Sequence, residues 1–511
     1  MSINLQSKTK ISVSIFIVTI LMGFGSVGIL YLIDENSLLY YGDAISHLYS
    51  ARRFVDSNDP GIIQIGTVWL PLPHLIILPL SLVDSLFRTG VAGLVNLPLH
   101  ALTSVLIYKI ILAQTKRSWI AVVGGLLYAS NPNLLYLGIT AMTEAPFLLF
   151  FVSGVYFLQK WVIQLNNVNL KYILLSSVFV SLATLCRYEA WILAPALALF
   201  VMFFTLKNKD KKAILVILIS FISFFGIVFW IGWNLIIYDD PLEFANAQFY
   251  AASSQSIERP YRDFLFLQPL NVLYIYGSAA VMISGPFLLV FALIGYFSHL
   301  REKIKTLPNY FYFFMSLPVL FTLFTMLIGI GEMSQWWFNA RFATFLTPLI
   351  VVLAAISLLK LKKINRKLIL VVIACLFTFQ IASPVFGVVT YLDAYSGWIY
   401  KQAPYAKQTS DFLYENYDGG KILILTGSSQ AHRIMISSGI DLINYNEGIE
   451  SLLFKQYFKE PWEYNRWVII GLEPDTDSVN AVKFWSDNVD VLEKHYDVAY
   501  QNQFYLVLRL K

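Results

Sequence analysis

The sequence predicts an α-helical polytopic membrane protein with about eleven transmembrane helices and a small C-terminal α/β soluble domain. Three observations predict it. Hydrophobic residues fill 57% of the 511 positions and charged residues only 14%, against about 25% charged in an ordinary soluble domain. The apolar residues come in blocks long enough to cross the hydrocarbon of a bilayer, which takes about 20 residues. Lys and Arg gather in short clusters between those blocks.

The blocks lie near 11–33, 91–113, 118–138, 144–163, 171–186, 189–206, 213–237, 272–298, 309–330, 342–359 and 368–389. The first follows Lys8 and Lys10, is too long for a signal-peptide core and has no small-residue cleavage site, so it reads as an uncleaved span. With the N-terminus inside, the inner loops hold Lys116 and Arg117; Lys160; Lys207, Lys209, Lys211 and Lys212; Arg301, Lys303 and Lys305; and Lys360, Lys362, Lys363, Arg366 and Lys367. Cytoplasmic loops are the ones enriched in Lys and Arg. The net charge of +5 is thus a topology signal, and it is no sign of nucleic-acid binding. Cys186 and Cys375 sit in or at the end of apolar blocks and make no disulfide framework.

Residues 68–87 are apolar enough to span, but counting them would turn all five basic clusters outward. Pro71, Pro73 and Pro79 also interrupt a regular helix there. The segment therefore reads as interfacial or re-entrant, a backbone tolerated only against protein or a water-filled cavity. The spans form a domain over 1–392. Residues 393–511 are mixed and charged, with strand-like KILIL (421–425), WVII (467–470) and FYLVL (504–508) and a helical stretch from Ser478 to Lys494. The chain is a multi-pass cell-membrane protein on this reading, with the C-terminal domain extracytoplasmic.

The outward loops carry the candidate chemistry. The first contains Asp34, Glu35, Asp43, His47, Arg52, Arg53, Asp56 and Asp59. From Asp43 to Phe54 the pattern is helical. Asp43, His47 and Ser50 share one face, Leu48, Ala51 and Val55 form an apolar stripe beside it, and Asp43 stands where a carboxylate caps a helix. Glu144 lies at the mouth of the fourth span, just before Pro146. A carboxylate there is a functional candidate, although Thr143 to Pro146 also reads as an ordinary helix start. Arg187 and Glu189 lie between two apolar blocks; the guanidinium fork of Arg187 suits a phosphate and equally suits Glu189. Arg341, beside Trp336 and Trp337, suits a phosphate or an interface anchor. Two carboxylates and two arginines from four loops fit an anionic lipid-linked donor, with a carboxylate as general base on an acceptor hydroxyl. His432 and Arg433, after TGSSQ, read as a surface helix or as an anion site at a helix start.

These residues resemble the motifs of the GT-C membrane glycosyltransferases, particularly the group of protein O-mannosyltransferases and lipid A aminoarabinose transferases. Asp43, Ala51-Arg52 and PLPHL (71–75) match the first motif, Glu144 with Pro146 the second, Arg187 the third, and Arg341 with Phe342 and Pro348 the fourth. The resemblance covers roughly 10–360. It departs from the family at Asp43-Ala44, where an Asp-Glu pair is usual, so either Asp43 works alone or Asp34-Glu35 supplies the pair. It also lacks the oligosaccharyltransferase signature, since Trp336-Trp337 is followed by Phe338-Asn339.

The resemblance implies an inverting transfer from a polyprenyl-phosphate sugar to a protein, lipid or glycan acceptor on the outer face. Asp43 is then the base and Glu144 orients its neighbourhood or the acceptor. Arg187 and Arg341 hold the donor phosphate, with His47, Glu189 and Arg52 also at the substrate. No cofactor is required by the sequence; Asp43 and His47 could take a divalent cation, but two ligands do not make a site. The rival is a transporter or flippase of lipid-linked sugars. It calls for paired charges at mid-membrane and inverted repeats, and neither is evident.

Overall fold

The computed structural model describes residues 5–163, 170–207, 213–246, 264–302, 309–331, 338–359, 366–381, 388–399, 403–426, 428–447, 459–472, 484–485 and 487–511, and the single positions 333 and 457. Its contacts divide the chain into two compact units: Met1–Leu32, Leu94–Trp233 and Pro260–Asp393 form one, and Ile33–Gly93, Asn234–Arg259 and Ala394–Lys511 form the other.

The first unit is helical. Its helices are α1 (Leu5–Ile33), which runs to the edge of the second unit, and then, after α2 and α3 of that second unit (Gly42–Arg52 and Leu72–Ser81), α4 (Asn96–Thr115), α5 (Ser118–Ala129), α6 (Pro132–Ile139), α7 (Glu144–Ile163), α8 (Leu170–Thr184) and α9 (Leu193–Lys207). Next come α10 (Ala213–Ser220), α11 (Phe225–Tyr238), α12 (Pro269–Ser284), α13 (Pro286–Glu302), α14 (Asn309–Leu327), α15 (Thr347–Ser357) and α16 (Arg366–Ile381); α11 from Asn234 and α17 (Val389–Ile399) from Ala394 belong to the second unit.

Among the described residues, seven stretches are long and apolar enough to cross a membrane, and nine if each bent pair counts as one span. Every one of the eleven predicted blocks contains helix, but two fall short, at Leu170–Thr184 and Ile369–Gln380. The blocks 118–138 and 272–298 are not single rods. α5 and α6 meet at 59°, and α12 and α13 at 106°. The breaks fall at Asn131-Pro132 and Gly285-Pro286, because proline supplies no N–H to the preceding turn.

The break after α12 strands the carbonyl of Ile283. The buried Asn131 and Asn133 amides both donate to it, at 2.9 and 3.3 Å. Asn131 also caps α6 through the N–H groups of Asn133 and Leu134, and Asn133 Oδ1 accepts from Thr390 N and Oγ1. Broken membrane helices persist where protein re-satisfies the freed backbone in this way. Elsewhere small residues bring helices together: a methyl on Gly295 of α13 would collide with the Leu353 carbonyl of α15.

In the second unit α2 lies against α3. Residues 68–87 form no helix long enough to span. α3 has ten residues, about 15 Å of helix against about 30 Å of hydrocarbon. Pro71 and Pro73 open α3 rather than break it, and only Pro79 lies inside.

The C-terminal residues add α18 (Ala403–Asn416), α19 (Ser428–Ser437) and a five-stranded mixed sheet. Its strands are β1 (Ile422–Leu425), β2 (Tyr445–Glu447), β3 (Trp467–Gly471), β4 (Tyr496–Gln501) and β5 (Tyr505–Leu510), in the order β2-β1-β3-β5-β4. β1 runs parallel to β2 and β3, and β5 antiparallel to β3 and β4. All residues of β1 and β3 are buried, as unbroken apolar runs covered on both faces should be. One face packs Leu423, Leu425, Val468, Ile470, Leu506 and Leu508 on Trp485 and Leu492. Of the predicted helix from Ser478 to Lys494, positions 478–483 lie outside the described residues, and Val489–Glu493 is helical.

Candidate active site

The first unit gathers four of the predicted residues. Glu144 opens α7 and is fully buried. Arg187 is extended, at φ −152° and ψ 145°, ahead of the 3-10 turn Tyr188–Ala190 that carries Glu189. Arg341 lies in the 3-10 helix Ala340–Leu346, which Asn339 enters at φ 58°, a left-handed conformation that asparagine tolerates.

Arg187 forks onto Glu189, Nε to Oε2 at 3.1 Å and Nη2 to Oε1 at 2.8 Å. Its Nη1 donates to Glu144 Oε1 at 3.0 Å and to Thr143 Oγ1 at 2.7 Å. Arg341 Nε stands 3.5 Å from that same Glu144 oxygen. Phe342 and Phe345 flank the Arg187 guanidinium at 5.0 and 5.1 Å, which adds cation–π attraction.

Burial acts to neutralise Arg187, but Glu189 and then Glu144 outweigh it and hold its pKa above the ordinary arginine value. Two carboxylates and two guanidinium groups form a compact alternating cluster. Glu144 Oε2 is buried and accepts no hydrogen bond from the described residues. Trp336 and Trp337 lie outside the described residues.

The second unit carries Asp43, His47 and Arg52, all on α2. Asp43 is not the N-cap. Tyr41 holds that position without a side-chain bond, and the half-buried Asp43 sits in the first turn, where the helix dipole favours a carboxylate. His47 is buried, its Nδ1 2.9 Å from His74 Nε2 and its ring 4.4 Å from that of Trp69. Burial, then His47 and Arg53, hold His74 well below the usual imidazole range, so it is neutral. Sequence reasoning passed over His74, although it lies inside the PLPHL motif.

Arg52 is nine residues beyond Asp43, about 13 Å along the helix. It binds Asp56 at 3.1 Å, Asp84 at 3.7 Å and the carbonyls of Ser81 and Leu82, both at 2.9 Å, so it ties α2 to the end of α3. Of the expected apolar stripe, Leu48 and Ala51 are fully buried, but Val55 is 55% exposed. Asp34 accepts from Asn36 at 2.8 Å and Tyr40 at 2.5 Å, and so organises the loop backbone ahead of α2. Among the described residues, no three His, Cys, Asp or Glu side chains gather as a metal site.

This architecture has known counterparts. Residues 80–230 match the family model described as dolichyl-phosphate-mannose-protein mannosyltransferase. ArnT from Cupriavidus metallidurans, bound to undecaprenyl phosphate, superposes with a TM-score of 0.56 at 11% identity, over 95% of this chain and 98% of that one. Its apo form gives 0.52 at 10% identity, over 91% and 92%. The oligosaccharyltransferase AglB from Archaeoglobus fulgidus, in complex with an inhibitory peptide and a dolichol-phosphate, gives 0.54 at 14% identity, over 95% and 72%. No curated protein matches the chain in sequence. The fold is the one shared by ArnT and AglB. The family match covers residues 80–230 alone, and the likeness to ArnT extends over nearly the whole of both chains as a likeness of fold.

Proposed function

We propose that the chain moves a sugar from a polyprenyl-phosphate donor to a hydroxyl of a protein, lipid or glycan, with inversion, on the extracytoplasmic face of the membrane. The observation that carries this reading is the convergence of Arg187 and Arg341 on the buried Glu144. Glu144 and Glu189 hold the two guanidinium groups in a fixed, charge-balanced cluster, and guanidinium forks fixed in this way suit a phosphate.

The acceptor oxygen bonds to the anomeric carbon as the carbon–oxygen bond to phosphate breaks, and the electron pair leaves on the polyprenyl phosphate. Asp43 takes the hydroxyl proton. Arg341 and Arg187 offset the charge that grows on the leaving phosphate. Arg187, already forked onto Glu189, also fixes where Glu144 stands, and Glu144 in turn orients Arg341.

The test is Asp43→Asn in the purified full-length chain, read as label released from a radiolabelled undecaprenyl-phosphate sugar. Asparagine keeps size and polarity but cannot take a proton. Turnover should fall by about 10²–10⁴, the contribution of a general base. Near-normal turnover would remove Asp43 from the mechanism.

A further inference from the structure

The expected surface helix is instead buried at His432 and Arg433, with 6% and 4% exposure, and α19, which also packs on α18, lies against α2. Both belong to the second unit, so the loop bearing Asp43 and the C-terminal sheet domain form one body.

The turn ahead of Asp43 has a backbone problem. The first carbonyl that α2 uses is that of Tyr41, which accepts from Ile45 N at 3.2 Å. Leu39 and Tyr40 are buried just before it, and their carbonyls need donors from elsewhere. Arg433 supplies both, Nη1 to Leu39 O at 3.0 Å and Nη2 to Tyr40 O at 2.8 Å. The ring of Trp398 lies 4.7 Å from its guanidinium and 5.2 Å from the Tyr40 ring, so the fork itself is held in place.

His432 grips the other side of Asp43. Its Nδ1 is 2.8 Å from Ser46 Oγ, and its ring stacks on Tyr49 at 4.1 Å and 18°. Ser46 lies three residues after Asp43, on the same side of the helix. Between the two grips, a Cβ on Gly42 would sit 3.2 Å from Ser429 Cβ, so α19 also comes close at the residue next to Asp43.

We propose that His432 and Arg433 are positioning residues: the C-terminal domain fixes the first turn of α2 and thereby the carboxylate of Asp43. This rests on the reading of Asp43 as the base. It gives the C-terminal domain a role in the reaction through Asp43.

The experiment compares Arg433→Gln, Arg433→Lys, His432→Phe and Asp43→Asn in the full-length chain in detergent. It measures amide hydrogen exchange over 39–50 and over 144–163, and kcat and KM with a radiolabelled undecaprenyl-phosphate sugar. Glutamine cannot span two carbonyls, and losing a charged donor should speed exchange over 39–50 by about tenfold or more. Exchange over 144–163 should not change, and kcat should fall with KM within about twofold.

Lysine restores one bond and should fall between glutamine and the native residue. His432→Phe keeps the stack on Tyr49 but loses Ser46, and gives a smaller local effect; it carries the test if Arg433→Gln does not fold. Unchanged exchange over 39–50 in the folded variants overturns the proposal, whatever the turnover. Asp43→Asn separates the two readings. It should lose turnover with native exchange, and a fully active Asp43→Asn overturns the base assignment while leaving the exchange result to stand.

Discussion

Arg187 directs four hydrogen bonds at Thr143, Glu144 and Glu189, so its loss strands two carboxylates, one of them fully buried. Breaking a buried ion pair by removing one partner costs about 3–5 kcal/mol. Arg187→Ala should therefore lose stability on that scale in detergent unfolding. Arg341 touches the cluster at 3.5 Å through Nε, outside good hydrogen-bond geometry, so Arg341→Ala should be the more stable of the two and lose mainly donor affinity. Arg341→Lys, which keeps the charge but not the fork, should keep part of it. Native-like stability in Arg187→Ala would mean that the cluster does not hold Glu144. Equal donor affinity in native, Arg341→Lys and Arg341→Ala protein would take the phosphate away from Arg341.

At the scale of elements, the bent pairs are the feature that composition hid. A hydropathy window averages across Asn131-Pro132 and Gly285-Pro286 and returns one block each time. The geometry of a break depends on which distant side chain reaches the stranded carbonyl, and nothing near Ile283 in sequence announces Asn131 or Asn133. Asn131→Ala removes both an N-cap, worth about 0.5–2 kcal/mol, and a donor to a buried carbonyl, worth about 1–3 kcal/mol. Asn131→Ser keeps a neutral capping oxygen and loses the donor to Ile283. Unfolding of the two variants should rank alanine below serine and both below native; equal stability of all three would show that Asn133 alone holds Ile283.

What was legible follows the same line. Strands β1, β3 and β5 were readable because continuous apolar runs are local. Glu144, Arg187, Glu189 and Arg341 stood out because charge beside apolar blocks is costly. Their mutual pairing was not legible, since Arg187 and Arg341 are distant in sequence and each had an equally good local role. Tyr41 took the cap position from Asp43 because the helix begins two residues earlier than a cap at Asp43 would set it. Arg433 was misjudged because its partners are backbone carbonyls, which carry no sequence signature.

At the scale of the whole molecule, sidedness follows from counting crossings. Five basic clusters put the C-terminal domain outside if each bent pair crosses once. A reporter fused after Lys511 that works only in an extracytoplasmic compartment should be active, and one that works only in the cytoplasm should be silent. The reverse result would point to the 106° pair, Pro269–Ser284 and Pro286–Ser298, as a re-entrant hairpin.

The bond between Arg433 and Leu39 joins positions 394 residues apart. A ribosome adding about 5–20 residues per second needs roughly 20–80 s to cover that distance. Throughout that interval the loop after the first span has been made and its closing partner has not. The carbonyls of Leu39 and Tyr40, the hydroxyl of Ser46 and the face of Tyr49 must wait, hydrated or guarded by a chaperone, until α19 is delivered. The turn that carries Asp43 is thus closed only once α19 has been made, and a chain that stops short of α19 has the helices of the first unit yet an unfinished start to α2.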